Sequence, residues 1–409
     1  MERVAIVGGV RTPFVKAGTH FAGLTLQDLG VHVLKELMKR ENLPDFDQFI
    51  FSTVLLDPRT PNWAREILFS AGAPKTISAH SVSNNCISGL LAISVAANEI
   101  ALGRAETVVA GGTESMSSPA LLFSKRGAEI FLKASRARSL GERLKLFTAL
   151  RPRDFLPNPP SPTEPSTGLT MGQHMEITAR ELNISRKEQD ELALRSHQNA
   201  AAAAQKLKSE IAPLNGVDRD TIVRGDTSLE KLASLRPVFD RSEKGTLTAG
   251  NSSPLTDGAS AVLLMSESRA KAEGRAVIAY LRDIEFSAID PQRGLLMAPA
   301  VAVPRLLKRN RLGLADFQRI EIHEAFAAQV LANTRAWEQG LFETPLGEVP
   351  WDRVNVLGGS IAIGHPFAAT AGRIVLSLAD ELKRENLERG LVSICAAGAM
   401  AGAAIVERH

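Results

Sequence analysis

Residues 31–51, VHVLKELMKRENLPDFDQFIF, are echoed by residues 301–322, VAVPRLLKRNRLGLADFQRIEI. In both, apolar residues recur at helical spacing (Val31, Leu34, Leu37 and Met38; Val303, Leu306 and Leu307) and a basic pair closes the periodic run (Lys39-Arg40; Lys308-Arg309). An Asp-Phe pair follows (Asp45-Phe46; Asp316-Phe317), then a short apolar segment. Each copy reads as an amphipathic helix leading into a strand.

A second pair of segments follows in the same order and at nearly the same separation. Ser83-Asn84-Asn85-Cys86 leads through a small-residue helical stretch to the strand Thr107-Val108-Val109-Ala110-Gly111-Gly112, and Gly364-His365-Pro366 leads through another helix to a strand at 391–395. Two matches in one order predict duplicated halves. Alternating helix and strand patterns predict βαβ units and mainly parallel sheets. The halves are expected at residues 1–119 with 247–270, and at 271–409. The intervening residues 120–246 carry a proline-rich run at 155–162 (FLPNPPSP) and an Ala-rich helix at 186–207, and read as an inserted loop domain.

A chain of 409 residues is too long for one hydrophobic core, which agrees with this division. The net charge of +3, with no basic run interleaved with aromatics, argues against nucleic acid. Two cysteines cannot build a disulfide framework, so free thiols in a reducing compartment are expected. Met1-Glu2-Arg3 before the apolar Val4-Ala5-Ile6-Val7 shows neither a signal peptide nor a transit segment, and no apolar run approaches ~18 residues; a cytoplasmic protein is expected. Residues 124–153 hold nine Lys/Arg against two Glu. Within them Leu140, Leu144 and Phe147 have the spacing of an interfacial helix, so a solvated face, the phosphates of a ligand, a membrane surface or a partner protein are the readings for this stretch.

Four segments hold residue types capable of chemistry. Cys86 follows a β-like stretch and precedes an apolar helix, where peptide dipoles favour thiolate; alone, such a cysteine is more often packing material. His365 lies between Gly364 and Pro366 at a helix start, where its imidazole can take a proton from a thiol or simply bond its own backbone. His323-Glu324-Ala325-Phe326-Ala327 follows a strand; Ala327 breaks the H-E-x-x-H spacing, so no metal site is expected. Cys395 ends a strand and enters a small-residue run. All four lie where a strand ends and a helix or turn begins, the edge at which α/β sheets gather ligands.

At these residues the chain resembles the thiolase family along essentially its whole length. The marks are Arg11-Thr12-Pro13-Phe14, Asn85-Cys86-Ile87-Ser88-Gly89, Gly111-Gly112-Thr113-Glu114-Ser115-Met116, Arg236-Pro237-Val238-Phe239-Asp240, Thr248-Ala249-Gly250-Asn251, the His-Glu-Ala-Phe and Gly-His-Pro motifs, and Cys395. His323, where many thiolases have Asn, and the basic insert are similar to the β-subunits of fatty-acid-oxidising trifunctional complexes. The resemblance implies an α/β thiolase fold, two βαβαβαββ halves in five α/β/α/β/α layers. It implies that Cys86 takes the acyl group, that His365 activates it and helps bind a thioester oxygen, that His323 positions a water there, and that Cys395 moves a proton on acetyl-CoA or its enolate. Backbone N–H groups of Cys86 and Ala397 would form a second oxyanion hole; Met171, Phe239, Ser253 and Phe326 would meet pantetheine. CoA enters as substrate and no cofactor is implied. A homodimer or larger assembly and an α-subunit with hydratase and dehydrogenase activity are the implied partners, with peripheral membrane contact through 124–153 also open.

The leading expectation is 3-ketoacyl-CoA thiolase activity in fatty-acid β-oxidation. A biosynthetic acetoacetyl-CoA thiolase and a non-catalytic lipid carrier are the alternatives. Ketoacyl synthases pair their cysteine with two histidines in another arrangement, and the late Cys395 argues against them. Ala399-Met400-Ala401 stand where the family commonly has a Gly-Gly turn, and are expected to narrow the second oxyanion hole.

Overall fold

The computed structural model describes residues 2–158, 160–161 and 163–409; Pro159 and Pro162 of the proline-rich run lie outside them. The first half runs β1 (Val4–Arg11), β2 (Val15–Lys16), α1 (Leu26–Arg40), β3 (Gln48–Ser52), α2 (Trp63–Ala71), β4 (Ser78–Val82), α3 (Ser88–Ala101) and β5 (Thr107–Glu114). Helices α4 (Lys125–Ser135), α5 (Leu140–Phe147), α6 (Met171–Glu181), α7 (Arg186–Ala202), α8 (Ala204–Leu207) and α9 (Leu229–Ala233) intervene before β6 (Thr256–Ser266) closes that half. The second half runs α10 (Glu267–Ala272), β7 (Ala279–Ala288), α11 (Pro299–Asn310), β8 (Arg319–Ile322), α12 (Ala327–Gln339), α13 (Ser360–Ile363), α14 (Phe367–Arg384), β9 (Arg389–Ala396) and β10 (Met400–Glu407).

Both echoes in the sequence are structural. The first repeat forms α1–β3 and α11–β8; the second forms α3–β5 and α14–β9. Strand order is β4-β3-β5-β6-β1-β7-β10-β9-β8, so each half repeats one order outward from the β1–β7 seam, where Val4, Ala5 and Ile6 pair with Leu281, Tyr280 and Ala279. The sheet is mixed rather than mainly parallel. β3 pairs parallel with β4 and β5, and β8 with β9, but β5–β6, β1–β6, β9–β10 and β7–β10 are antiparallel. The cause is the last strand of each half, β6 or β10, which runs antiparallel to both of its sheet neighbours. The second half also lacks a third strand: that segment keeps one parallel bridge, Ile320 to Val354, between the helical turn Trp351–Arg353 and Asn355 with φ 47°.

Alternation along the strands builds the layers. Val4, Ile6, Val108 and Ala110 face inward onto α3 and α14, and Val392, Ile394, Ala404 and Val406 cover the same two helices from the other half. Ala5, Val7 and Val109 face outward against α1 and α2, while Leu391, Ala403 and Ile405 face the core that α11 and α12 complete. Five layers result. The inserted segment is largely helical: α6 packs on the second half through Met175 and Ala179, whereas α5 has no buried residue. Among the described residues no helix is long and apolar enough to cross a membrane.

Candidate active site

The central helices α3 and α14 are the counterparts of one another, and each starts just after a candidate catalytic side chain. Cys86 tops a tight turn between β4 and α3. Asn85 takes φ 49°, a conformation Asn tolerates better than most residues. The Asn84 N–H donates to Ser88 Oγ at 2.7 Å and Ser88 Oγ donates to the Asn85 carbonyl at 2.6 Å. The turn therefore holds the sulfur two residues ahead of the helix.

His365 is placed by its neighbours. Gly364 has φ 116°, and a Cβ there would press on Thr256, so only glycine fits. The His365 N–H then donates to Thr256 Oγ1 at 3.0 Å, and Nδ1 lies 2.6 Å from Thr370 Oγ1. His323 follows β8, and its N–H donates to the Ser393 carbonyl at 2.8 Å. The two imidazoles meet with centroids 4.1 Å apart.

Cys395 lies 1% exposed near the end of β9, and the Ala325 N–H faces its sulfur. Beyond it, Ala397 turns its N–H toward the sulfur of Cys86, whose own N–H does the same, and Asn85 Nδ2 donates to the Ala397 carbonyl at 3.0 Å. Cys86, Cys395, His323, His365 and Ala397 thus converge at one edge of the central layer. The proposed CoA contacts gather beside them: Phe239 packs edge-on to Phe326 at 5.6 Å and against Gly172, next to Met171. Ser253 donates its N–H and hydroxyl to the Ala325 carbonyl at 2.9 and 3.0 Å.

Electrostatics correct one expectation. Proximity to a helix start does not make Cys86 a resting thiolate. Burial pushes its thiol up to about 12, opposed by the N–H of Ala397 and reinforced by the carboxylates of Glu114 and Glu164. Cys395 is driven well above the usual range by burial and then by Cys86. Burial also lowers His365 to about 3 and His323 well below its ordinary value, each further depressed by Arg373. The resting site therefore holds neutral thiols and neutral imidazoles.

Several side chains that hold the site were not singled out from the sequence. Glu114 is fully buried at the end of β5, its carboxylate accepting from the N–H groups of Val54 (3.0 Å), Leu55 (2.9 Å) and Ala368 (3.3 Å). Ala368 is in the first turn of α14, whose N-cap has no side-chain bond. Glu324 accepts from Ser196 Oγ (2.6 Å), Asn355 Nδ2 (2.7 Å) and the Ile361 N–H (3.2 Å). Glu164 crosses from the insert to accept from the Gly398 N–H at 3.0 Å. The turn beyond Cys395 places Gly398 at φ 76° and Ala399 at φ 55°, and Ala399 and Ala401 are fully buried. The signal for Glu114 was its place in the Gly-Gly-Thr-Glu-Ser motif; Glu164 had none.

The model of the thiolase N-terminal domain matches residues 4–268, and that of the thiolase C-terminal domain matches 275–408. The chain is 43% identical to a 3-ketoacyl-CoA thiolase of Pseudoalteromonas translucida and to one of Yersinia pestis, covering 99% of this chain and 97% of each relative. The crystal structure of an acetyl-CoA acetyltransferase from Bacillus anthracis is similar over 100% of this chain and 99% of its own, with a TM-score of 0.86 at 32% identity. With both domain models matched in order and relatives covered nearly end to end, this chain belongs to the thiolase family.

Proposed function

We infer that the chain is a 3-ketoacyl-CoA thiolase, an acyltransferase that cleaves 3-oxoacyl-CoA with CoA to acetyl-CoA and a shortened acyl-CoA. The observation that carries this reading is the convergence of two thiols and two imidazoles at one edge of the central layer, with two backbone N–H groups facing Cys86. The 43% identity to 3-ketoacyl-CoA thiolases, against 32% to the acetyltransferase, supports the degradative reaction over the biosynthetic one.

Cys86 gives its proton to His365 as its sulfur attacks the 3-keto carbon. The bond between C2 and C3 breaks, and Cys395 protonates the departing acetyl-CoA enolate. CoA thiol then attacks the acyl-Cys86 thioester, returning its proton through the same groups. His365 and His323 serve the acetyl-CoA thioester oxygen, which gains charge as the enolate departs; the N–H groups of Cys86 and Ala397 serve the oxygen on the carbon that Cys86 attacks, in both steps. Fixed donors of this kind are each worth about 2.7–4 kcal/mol in other enzymes. Met171, Phe239, Ser253 and Phe326 line the approach for pantetheine, and no step calls for a cofactor.

A role in cytoplasmic β-oxidation, assembly as a homodimer or larger, and a hydratase/dehydrogenase α-subunit as partner are supported by the resemblance to trifunctional β-subunits. Peripheral membrane contact is supported by residues 124–153. Leu140 (71%) and Leu144 (57%) are exposed on α5, beside Leu132 (55%) on α4, amid nine Lys/Arg. Thiolysis of 3-oxoacyl-CoA substrates across chain lengths, with mass spectrometry of the acylated peptide, tests the central reading. Acylation at Cys86 and loss of cleavage in Cys86→Ala are expected; cleavage that survives that change overturns the mechanism, and activity on acetoacetyl-CoA alone favours the biosynthetic reading.

A further inference from the structure

The two imidazoles stand side by side, fully buried or nearly so, and the Nε2 atom of each has no hydrogen-bond partner among the described residues. Both rings are neutral in the resting site, so each carries one N–H. Which nitrogen holds it decides whether Nε2 offers a lone pair or a hydrogen.

The outer nitrogens settle this through two hydroxyls. His323 Nδ1 lies 2.8 Å from Ser360 Oγ, and Ser360 Oγ also receives a hydrogen from Nη2 of the buried Arg373 at 3.1 Å. A guanidinium can only donate. The hydroxyl hydrogen of Ser360 has no acceptor among the described residues other than His323 Nδ1, and a buried hydroxyl left undonated is costly. Nδ1 of His323 is therefore the acceptor, and its hydrogen sits on Nε2. At His365 the polarity runs the other way. Thr370 Oγ1 donates to the Pro366 carbonyl at 3.1 Å, one turn back along α14, so its oxygen receives the Nδ1 hydrogen of His365 across 2.6 Å. Nε2 of His365 is left bare.

We propose that Ser360, polarised by Arg373, and Thr370 are positioning residues that hold the two adjacent imidazoles in opposite tautomers, His365 with a basic Nε2 and His323 with a donating Nε2–H. The pair then acts without prior rearrangement. His365 is ready to accept the thiol proton, and His323 is ready to donate to the developing oxyanion or to a water held there. This also gives a reason for a histidine at position 323, since Ser360 makes it a fixed donor despite its two possible tautomers.

The inference deepens the catalytic reading above and rests on it, yet its test does not require turnover. Long-range 1H–15N correlation of histidine-labelled wild-type protein near neutral pH, assigned with His323→Asn and His365→Asn, reports the unprotonated nitrogen of each ring. Nδ1 of His323 and Nε2 of His365 are expected; one shared tautomer, or the reverse pair, overturns the proposal. Those tautomers in a protein without thiolase activity would sink the catalytic reading instead. The kinetic arm is a double-variant cycle. Ser360→Ala should lower kcat about tenfold with KM within about twofold, and the same change made on His323→Asn, whose amide donor needs no tautomer set, should cost less than about threefold. Equal losses in both backgrounds would mark Ser360 as merely structural. If Ser360→Ala does not fold, the wild-type spectra still decide.

Discussion

On the proposed mechanism, Gly89 is where nucleophile and base depend on one atom's absence. It lies three residues after Cys86 on α3, and a Cβ built there would stand 2.4 Å from the carbonyl oxygen of Ala368, three residues after His365 on α14. Ordinary contact begins near 3.4 Å, so Gly89→Ala obliges the two helices to part by about 1 Å, since the obstacle is backbone and cannot rotate away. Misplacement of reacting groups by that amount costs about 10²-fold in rate. Overpacking a core costs about 1–3 kcal/mol in stability, a lowering of thermal midpoint that leaves the protein folded. The comparison variant is Gly30→Ala on α1, in the outer layer, where an added Cβ meets the terminal carbon of Ile67 at 2.6 Å. Thiolysis and differential scanning calorimetry on both variants separate the effects. Gly89→Ala should lose about two orders of magnitude in kcat/KM, and Gly30→Ala should lose stability with kcat/KM within about threefold. Wild-type turnover in folded Gly89→Ala would refute the claim that this contact sets the distance between Cys86 and His365.

Shortening Glu114 to Asp withdraws the carboxylate from the buried N–H groups of Val54, Leu55 and Ala368; each group left unpaired costs about 1–3 kcal/mol, so chemical denaturation should show a loss of several kcal/mol, and an unchanged midpoint would contradict the assignment. His197 is held at about 4 by burial and by Arg224, and His365 at about 3. Both folded values lie below the unfolded one, so the unfolded chain binds more protons, and stability should fall as pH drops from about 6.5 toward 4, by up to about 1.4 kcal/mol per unit per histidine. Urea midpoints across that range should drop with acid and drop less steeply in His197→Asn; a flat profile opposes the reasoning. Leu140→Asp combined with Leu144→Asp should abolish co-sedimentation with anionic vesicles while thiolysis of a soluble substrate stays within about twofold, and wild-type protein that fails to sediment with those vesicles removes the membrane reading.

The duplication and the placement of Cys86, His323, His365 and Cys395 beside strand ends and helix starts were legible because each rests on a local pattern: helical spacing followed by an apolar strand, and a polar or thiol side chain where a periodic run breaks. The sheet's direction was not legible for an equally physical reason. β5 and β6 are buried along their whole lengths, and a strand covered on both faces shows the same unbroken apolar run whether its neighbour is parallel or antiparallel. The resting state of Cys86 was misjudged because a helix start is visible in sequence, whereas the desolvation that outweighs it exists only once the folded chain closes over the sulfur. Ser360, Arg373 and Thr370 went unremarked because a hydroxyl one turn from a histidine has meaning only once its third partner is known.

Duplication also explains how the labour is divided between the halves. Thr53 follows β3 as His323 follows β8, and Glu114 closes β5 near the position that Cys395 occupies on β9. In the first half these strand ends bond to one another, Thr53 Oγ1 to Glu114 at 3.1 Å, and to the N–H of Ala368 at the start of α14. In the second half the same two strand ends carry His323 and Cys395, and Cys395 lies close enough to Cys86, just before α3, for the two thiols to influence one another. On the proposed mechanism, the first half supports the start of the second half's central helix and the second half supplies the groups that work beside Cys86. The proposed nucleophile on one half and its proposed base on the other can face each other only if those helices touch, and small residues, Gly89, Ala368, Ala371 and Gly372, occupy the contact between them.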